Sequence, residues 1–212
     1  MQEKFLPFFP LNLVVYPDEN LNLHVFEPRY KQLIHDCIEQ NTNFGIPSFI
    51  NEEVAAYGTE VKIVNVEKTY DDGKMDIKTK GVQVFKVLSF DQKTQEKLYA
   101  GGTVEVIPHE EVAPEEVSRE LISNLKKLYE IIKVGAAINI QSFKVLSYQL
   151  AHKIGLSLEQ QYEMLKISSE HDRQLYLLDH LKSSIPLMEE MERTKEIIRM
   201  NGHFKNLDPL DF

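Results

Sequence analysis

Cys37 is the only thiol in this 212-residue chain. A cysteine nucleophile needs a depressed pKa, supplied by a neighbouring cation, imidazole or helix N-terminus. Cys37 falls instead on the apolar stripe of a predicted helix with no evident base partner, which predicts a buried, inert core residue. The seven histidines are His24, His35, His109, His152, His171, His180 and His203. His109-Glu110-Glu111 opens like the helix of a zinc protease, but no second histidine follows four residues after the first, and Pro114 interrupts. No His/Cys pairing has metal-ligand spacing, so no metal site is predicted. Glu110-Glu111 and Glu115-Glu116 are adjacent pairs, and adjacent residues on a helix do not face each other. A solvated link running into a helix start accounts for them better than paired acid–base catalysis. No Gly-x-x-x-x-Gly-Lys-Ser/Thr stretch exists to wrap a nucleotide phosphate. The expectation is a non-catalytic chain without cofactor.

Composition narrows the partners. The chain holds 33 acidic and 24 basic residues, a net charge of −9. Residues 1–110 carry 17 acidic against 11 basic groups. Phosphate neutralisation needs the opposite sign, which argues against nucleic acid. No stretch approaches the roughly 20 apolar residues that span a bilayer. The apolar N-terminus is short and broken by Pro7, Pro10 and Asn12, unlike a signal peptide. With one cysteine, no intramolecular disulfide can form, as suits a reducing compartment. A cytoplasmic location is expected.

The elements come in two kinds. Before residue 108 the pattern is β-rich. Leu11, Leu13 and Val15 share one parity and read as a first strand, although Val14 blurs the alternation. Pro28 opens a helix over 28–40 whose apolar face is Tyr30, Leu33, Ile34, Cys37 and Ile38. Residues 44–50 read as a strand bent at Pro47. Thr59, Val61 and Ile63 alternate and then yield to Val64 and Val66, which predicts a bulge near Ile63. Asp72-Gly73 sets a hairpin, and Met75, Ile77 and Thr79 begin the returning strand. Residues 82–90 and 99–107 are two further strands, with Gly101-Gly102 marking a kink or close approach. After a proline-bounded link, residues 114–201 read as helices. The first starts at Pro114 and carries Val117, Leu121, Leu125, Leu128 and Ile132 as far as Gly135. Phe143, Leu146, Leu150 and Ile154 stripe a second that stops at Gly155. Ser157-Leu158-Glu159-Gln160 is a capping box for a third. A fourth starts near Ser169 and carries Leu175, Leu178 and Leu181, with a kink or restart at Pro186. Residues 202–212 read as a polar tail.

These residues resemble, in order and spacing, the amino-terminal domain of Lon-type ATP-dependent proteases. The matches are Pro10-Leu11, Tyr16-Pro17, Leu23 through Phe26-Glu27-Pro28-Arg29-Tyr30, Phe44-Gly45, Gly58-Thr59, Asp72-Gly73 and Gly81. Leu146-Ser147-Tyr148-Gln149-Leu150-Ala151 and Leu156-Ser157-Leu158-Glu159 resemble its helical half. The resemblance implies an α+β fold: a PUA-like β pseudo-barrel with one helix over 1–108, then a helical bundle over 114–201. It implies a substrate-recognition module, free-standing here without the ATPase and peptidase domains. Its partners would be unfolded or tagged proteins, together with a separate protease or chaperone, in adaptor-like or chaperone-like quality control. A peptidase-related enzyme and a PUA-like RNA-binding protein are the alternatives.

A binding module needs an apolar surface rather than a titrating group. Phe5, Phe8, Phe9 and Tyr16, with Tyr57 and Tyr70, are the candidate peptide-docking residues wherever they escape the core. In Glu27-Pro28-Arg29-Tyr30, Glu27 and Arg29 are expected to pair across the helix start and fix its direction. A partner contact is the other reading of that motif.

Overall fold

The computed structural model describes residues 2–91, 97–134 and 144–203. Strands come first: β1 (Glu3–Phe8), β2 (Asn20–Val25), then helix α1 (Pro28–Gln40), β3 (Phe44–Ile50), β4 (Glu53–Thr69), β5 (Met75–Val87) and β6 (Ala100–Val106). Helices α2 (Glu115–Ile131), α3 (Leu146–Leu150), α4 (Leu158–Leu165) and α5 (Glu170–His203) follow, with a 3₁₀ turn at Ala151–Lys153. The fold is α+β. The expected helix end at Gly135, the stripe position Phe143 and tail residues 204–212 lie outside the described residues.

Six strands form one sheet in the order β2-β5-β4-β3-β1-β6, and a further β5–β6 pairing closes five of them into a ring. β2 is left outside, on the flank of β5. The long strands bend where the sequence slips phase. The β4–β5 register shifts between Ile63 and Asn65, and the β3–β4 register shifts between Pro47 and Phe49. The hairpin turns on Gly73 at φ 76°, closed by Tyr70 N–H donating to the Lys74 carbonyl at 2.9 Å. At Gly81 the chain passes so close that a Cβ would stand 2.0 Å from the Tyr16 carbonyl oxygen. A Cβ at Gly102 would stand 1.9 Å from that of Ser89, so this glycine serves a close approach.

Several sequence expectations fail or are narrowed, each for a physical reason. Leu11, Leu13 and Val15 do not form a strand. That stretch crosses between layers, touching the sheet through an isolated Leu11↔Ser48 bridge, and Val14 and Val15 enter different cores. The true first strands are β1 and β2. Residues 82–90 are not separate from 75–79, because β5 runs through Gly81 without ending. Leu175 is exposed, and Leu177 takes its place in the core. The inward face of α5 begins with the polar trio Glu170, Arg173 and Gln174 and continues through Leu177, Leu178, Leu181 and Ile185. Pro186 neither stops nor restarts α5, which is one helix across it. Ion pairs Lys127–Glu189 and Lys133–Glu196 hold the segment beyond the proline.

One of these cores joins the strand half to the helices. Tyr16 is fully buried in the cluster of Leu121, Leu125, Leu150 and Leu177, and its hydroxyl donates to the Gln161 carbonyl at 3.0 Å. The Tyr162 hydroxyl accepts the Tyr57 N–H at 3.1 Å. The Ser157 capping box is complete, Ser157 Oγ accepting from Gln160 N–H and the Gln160 side chain from Ser157 N–H.

The link into α2 carries His109. Burial, and secondarily the Arg173 guanidinium, hold its imidazole below the usual value. The folded state then binds fewer protons than the unfolded chain. The stabilisation is present above the unfolded pKa and is lost as pH falls through the folded one. Urea unfolding at stepped pH should show stability declining below about pH 6.5, the ordinary histidine value. His109→Gln should flatten the upper part of that decline, and an unchanged slope would contradict the assignment.

Candidate functional site

The end of β1 and the start of α1 build an apolar groove of about 730 Å3. Phe8 and Phe9 form its floor. Phe8 stacks on Phe90 with ring centroids 5.7 Å apart, and Phe9 stacks on Tyr30 at 3.8 Å. Phe26, Phe49, Phe90 and Leu98 stand around it with large exposed surfaces, Phe26 at 56% and Leu98 at 62%. Such large apolar side chains, grouped rather than scattered, make this groove the candidate interaction surface.

Local rules place these groups. Val25 closes β2 pointing into the core, so the next residue, Phe26, must point out. Pro28 starts α1 with Glu27 as its extended N-cap residue. The Glu27 carboxylate makes no capping bond and instead accepts from Arg29, at 2.9 Å from Nε and 2.8 Å from Nη2. The Arg29 guanidinium lies 4.4 Å from the centre of the Tyr30 ring. The motif 27–30 therefore forms a neutralised rim beside the floor. His24 lies beside them, its Nδ1 2.6 Å from Asp76 Oδ1.

The six aromatic candidates do not converge. Phe8, Phe9 and Tyr16 are buried and offer no exposed docking surface, because each fills a core that closes over it. Phe8 and Phe9 still line the groove from below. Phe5 is exposed but faces another cleft, Tyr57 packs against Tyr162, and Tyr70 is half-buried with its hydroxyl donating to Asp76 at 2.7 Å. Tyr70 approaches the groove's margin through an edge contact with His24. Sequence reasoning missed Phe26, Phe49, Phe90 and Leu98. Of these, Phe90 carried a local signal, a lone apolar residue between polar Ser89 and Asp91.

The second cleft, about 470 Å3, sets Phe5, Leu6 and Pro7 beside charged side chains that pair with one another. Glu60 is buried, which raises its pKa, yet hydrogen bonds from Lys4, Asn43 and Gln83 outweigh burial and hold the carboxyl below its usual range. Asp36 likewise accepts from Lys97 and Tyr99. Burial pushes the Cys37 thiol up to about 11. A disulfide-exchange reagent at neutral pH should therefore find no fast-reacting thiol in the native chain and one after denaturation. Rapid native labelling would contradict this. Among the described residues no cluster of His, Cys, Asp and Glu could hold a metal, and no helix is long and apolar enough to cross a membrane.

Comparison with known proteins agrees with this architecture. The family model described as the ATP-dependent protease La (LON) substrate-binding domain matches residues 5–183. The structure of a Lon N-terminal domain protein from Xanthomonas campestris superposes with a TM-score of 0.64 at 26% identity, covering 83% of this chain and 98% of that one. The N-terminal domain of a Mycobacterium avium complex Lon protease shares the fold, with a TM-score of 0.63 at 14% identity over 84% and 98% of the two chains. By the family match across most of its length, this chain belongs to the Lon substrate-binding domain family.

Proposed function

We propose that the chain captures unfolded or tagged polypeptide segments in the apolar groove, without chemistry of its own, as an adaptor or holder for a separate protease or chaperone. One observation carries this reading: four large apolar side chains surround a groove whose charged lining is already paired. The family, a substrate-binding domain, supports it. So does the state of the second cleft, where the thiol is held protonated and the carboxylates are engaged. In this reading the β-rich half, 1–108, is a PUA-like pseudo-barrel that does the gripping, and the ring of strands supports that description. The helical half, 114–201, braces it. The lone buried cysteine fits work in the reducing cytoplasm.

Affinity is modest, since ordering a flexible chain opposes the gain from apolar burial. A permanently unfolded model protein should bind, with an affinity that changes less than about threefold between roughly 0.05 and 0.5 M salt. A fall of about a thousandfold over that range would indicate a polyanionic ligand and contradict the reading.

A further inference from the structure

We propose that the captured segment binds as an added β-strand on the open edge of β2, with alternate side chains entering the groove. This rests on the polypeptide-capture reading. β2 ends the sheet order, and among the described residues it pairs with β5 alone. Its register runs without a shift from Asn20↔Lys80 to Val25↔Met75. Just before it, Gly81 N–H donates to the Glu19 carbonyl at 2.8 Å. In an antiparallel ladder, hydrogen-bonded and non-bonded pairs alternate. The Glu19–Gly81 bond therefore assigns Leu21, Leu23 and Val25 to the bonded positions. Asn20, Asn22 and His24 turn their N–H and C=O groups away from β5. Those outward groups have no hydrogen-bond partner among the described residues.

Sheet edges are usually blocked by proline, lysine, a bulge or a covering element. β2 has no proline, no lysine and no bulge. The edge is also continuous with the groove, because Leu23 and His24 line it and Phe26 follows at once. Charge complementarity selects the occupant. The charged side chains lining the groove, Glu27 and Arg29, pair with each other, and His24 faces Asp76, so no free charge is left to match and the inserted side chains must be uncharged. A folded or helical ligand has already spent its backbone groups. An extended segment has not: its main chain can pair with Asn20, Asn22 and His24 while every second apolar side chain meets Phe26 and Leu98.

The probe is a fluorescent peptide alternating leucine with serine, flanked by glycine and serine, measured by anisotropy on the full chain. Two versions carry N-methyl groups on alternate backbone amides, one version for each parity. One version is expected to bind at least about tenfold more weakly than the parent and the other to match it, since only one parity faces β2. Asn22→Pro, which removes an outward donor and leaves the β5 ladder intact, should weaken the parent peptide by a similar factor without shifting the thermal midpoint. Equal binding of the two methylated versions would overturn strand addition and leave groove capture standing. Failure of the parent peptide to bind at all would overturn both.

Discussion

Replacing Arg173 with alanine is expected to cost about 3–5 kcal/mol of stability, the range for breaking a buried ion pair from one side. Arg173 and Glu170 are both fully buried, with Nη2 2.7 Å from Oε2. The guanidinium also donates to the carbonyls of Glu110, Ile167 and Ser168 and to Ser147 Oγ, and it lies 4.3 Å from the centre of the Tyr148 ring. Glu170 in turn accepts from Ser147 N–H, Ser147 Oγ and Gln174. One group thus fastens the link before α2, the start of α3 and the loop before α5. Removing it leaves a buried carboxylate without its counter-ion and takes a donor from the carbonyls of Glu110 and Ile167. Arg119→Ala provides the contrast, because its ion pair with Glu115 is largely exposed and is worth at most about 1 kcal/mol. Urea unfolding of both variants decides. A loss below about 1 kcal/mol at Arg173 would show that the network is not what holds the helical layer together. The double change Arg173→Met with Glu170→Leu should recover much of the loss, since it leaves no unpaired charge behind.

The largest expected effect on binding comes from Phe26→Ser combined with Leu98→Ser. Both side chains are mostly exposed, so the fold should tolerate the change with little shift in thermal midpoint. Against an unfolded model protein the double variant should lose about 2 kcal/mol or more, roughly thirtyfold in affinity, as expected when two apolar anchors of one site are removed. The control is Leu187→Ser with Ile198→Ser on α5, where exposed apolar residues also occur but do not line the groove. That variant should bind as the parent does. Equal losses in the two variants would mean general stickiness rather than a site.

Local physics made much of the fold legible from sequence. Pro28 set the start of α1, Gly73 set the hairpin, the slip from Ile63 to Val64 announced a bulge, and Ser157 with Gln160 marked α4. Each of these signals needs only near neighbours. The failures needed distant ones. Val14 and Val15 are both buried because two separate cores meet at that segment, which alternation cannot express. Glu170, Arg173 and Gln174 look like a solvated face until Ser147, Ser118 and the link carbonyls are brought to them. The groove follows the same rule. Phe8 and Phe9 drew notice as aromatics, and the paired Glu27 and Arg29 as a motif. That they share one site with Phe49, Phe90 and Leu98 depends on how β1, β3 and β6 are brought together.

Photo-crosslinking tests the central claim most directly. A benzoylphenylalanine is placed in turn at the positions of Phe26, Leu98, Leu187 and Ile198, and each chain is irradiated with a labelled unfolded protein. Crosslinks should form from positions 26 and 98, compete away with unlabelled unfolded protein, and be absent from 187 and 198. Crosslinks concentrated on α5, or spread evenly over all four positions, would contradict capture in the groove.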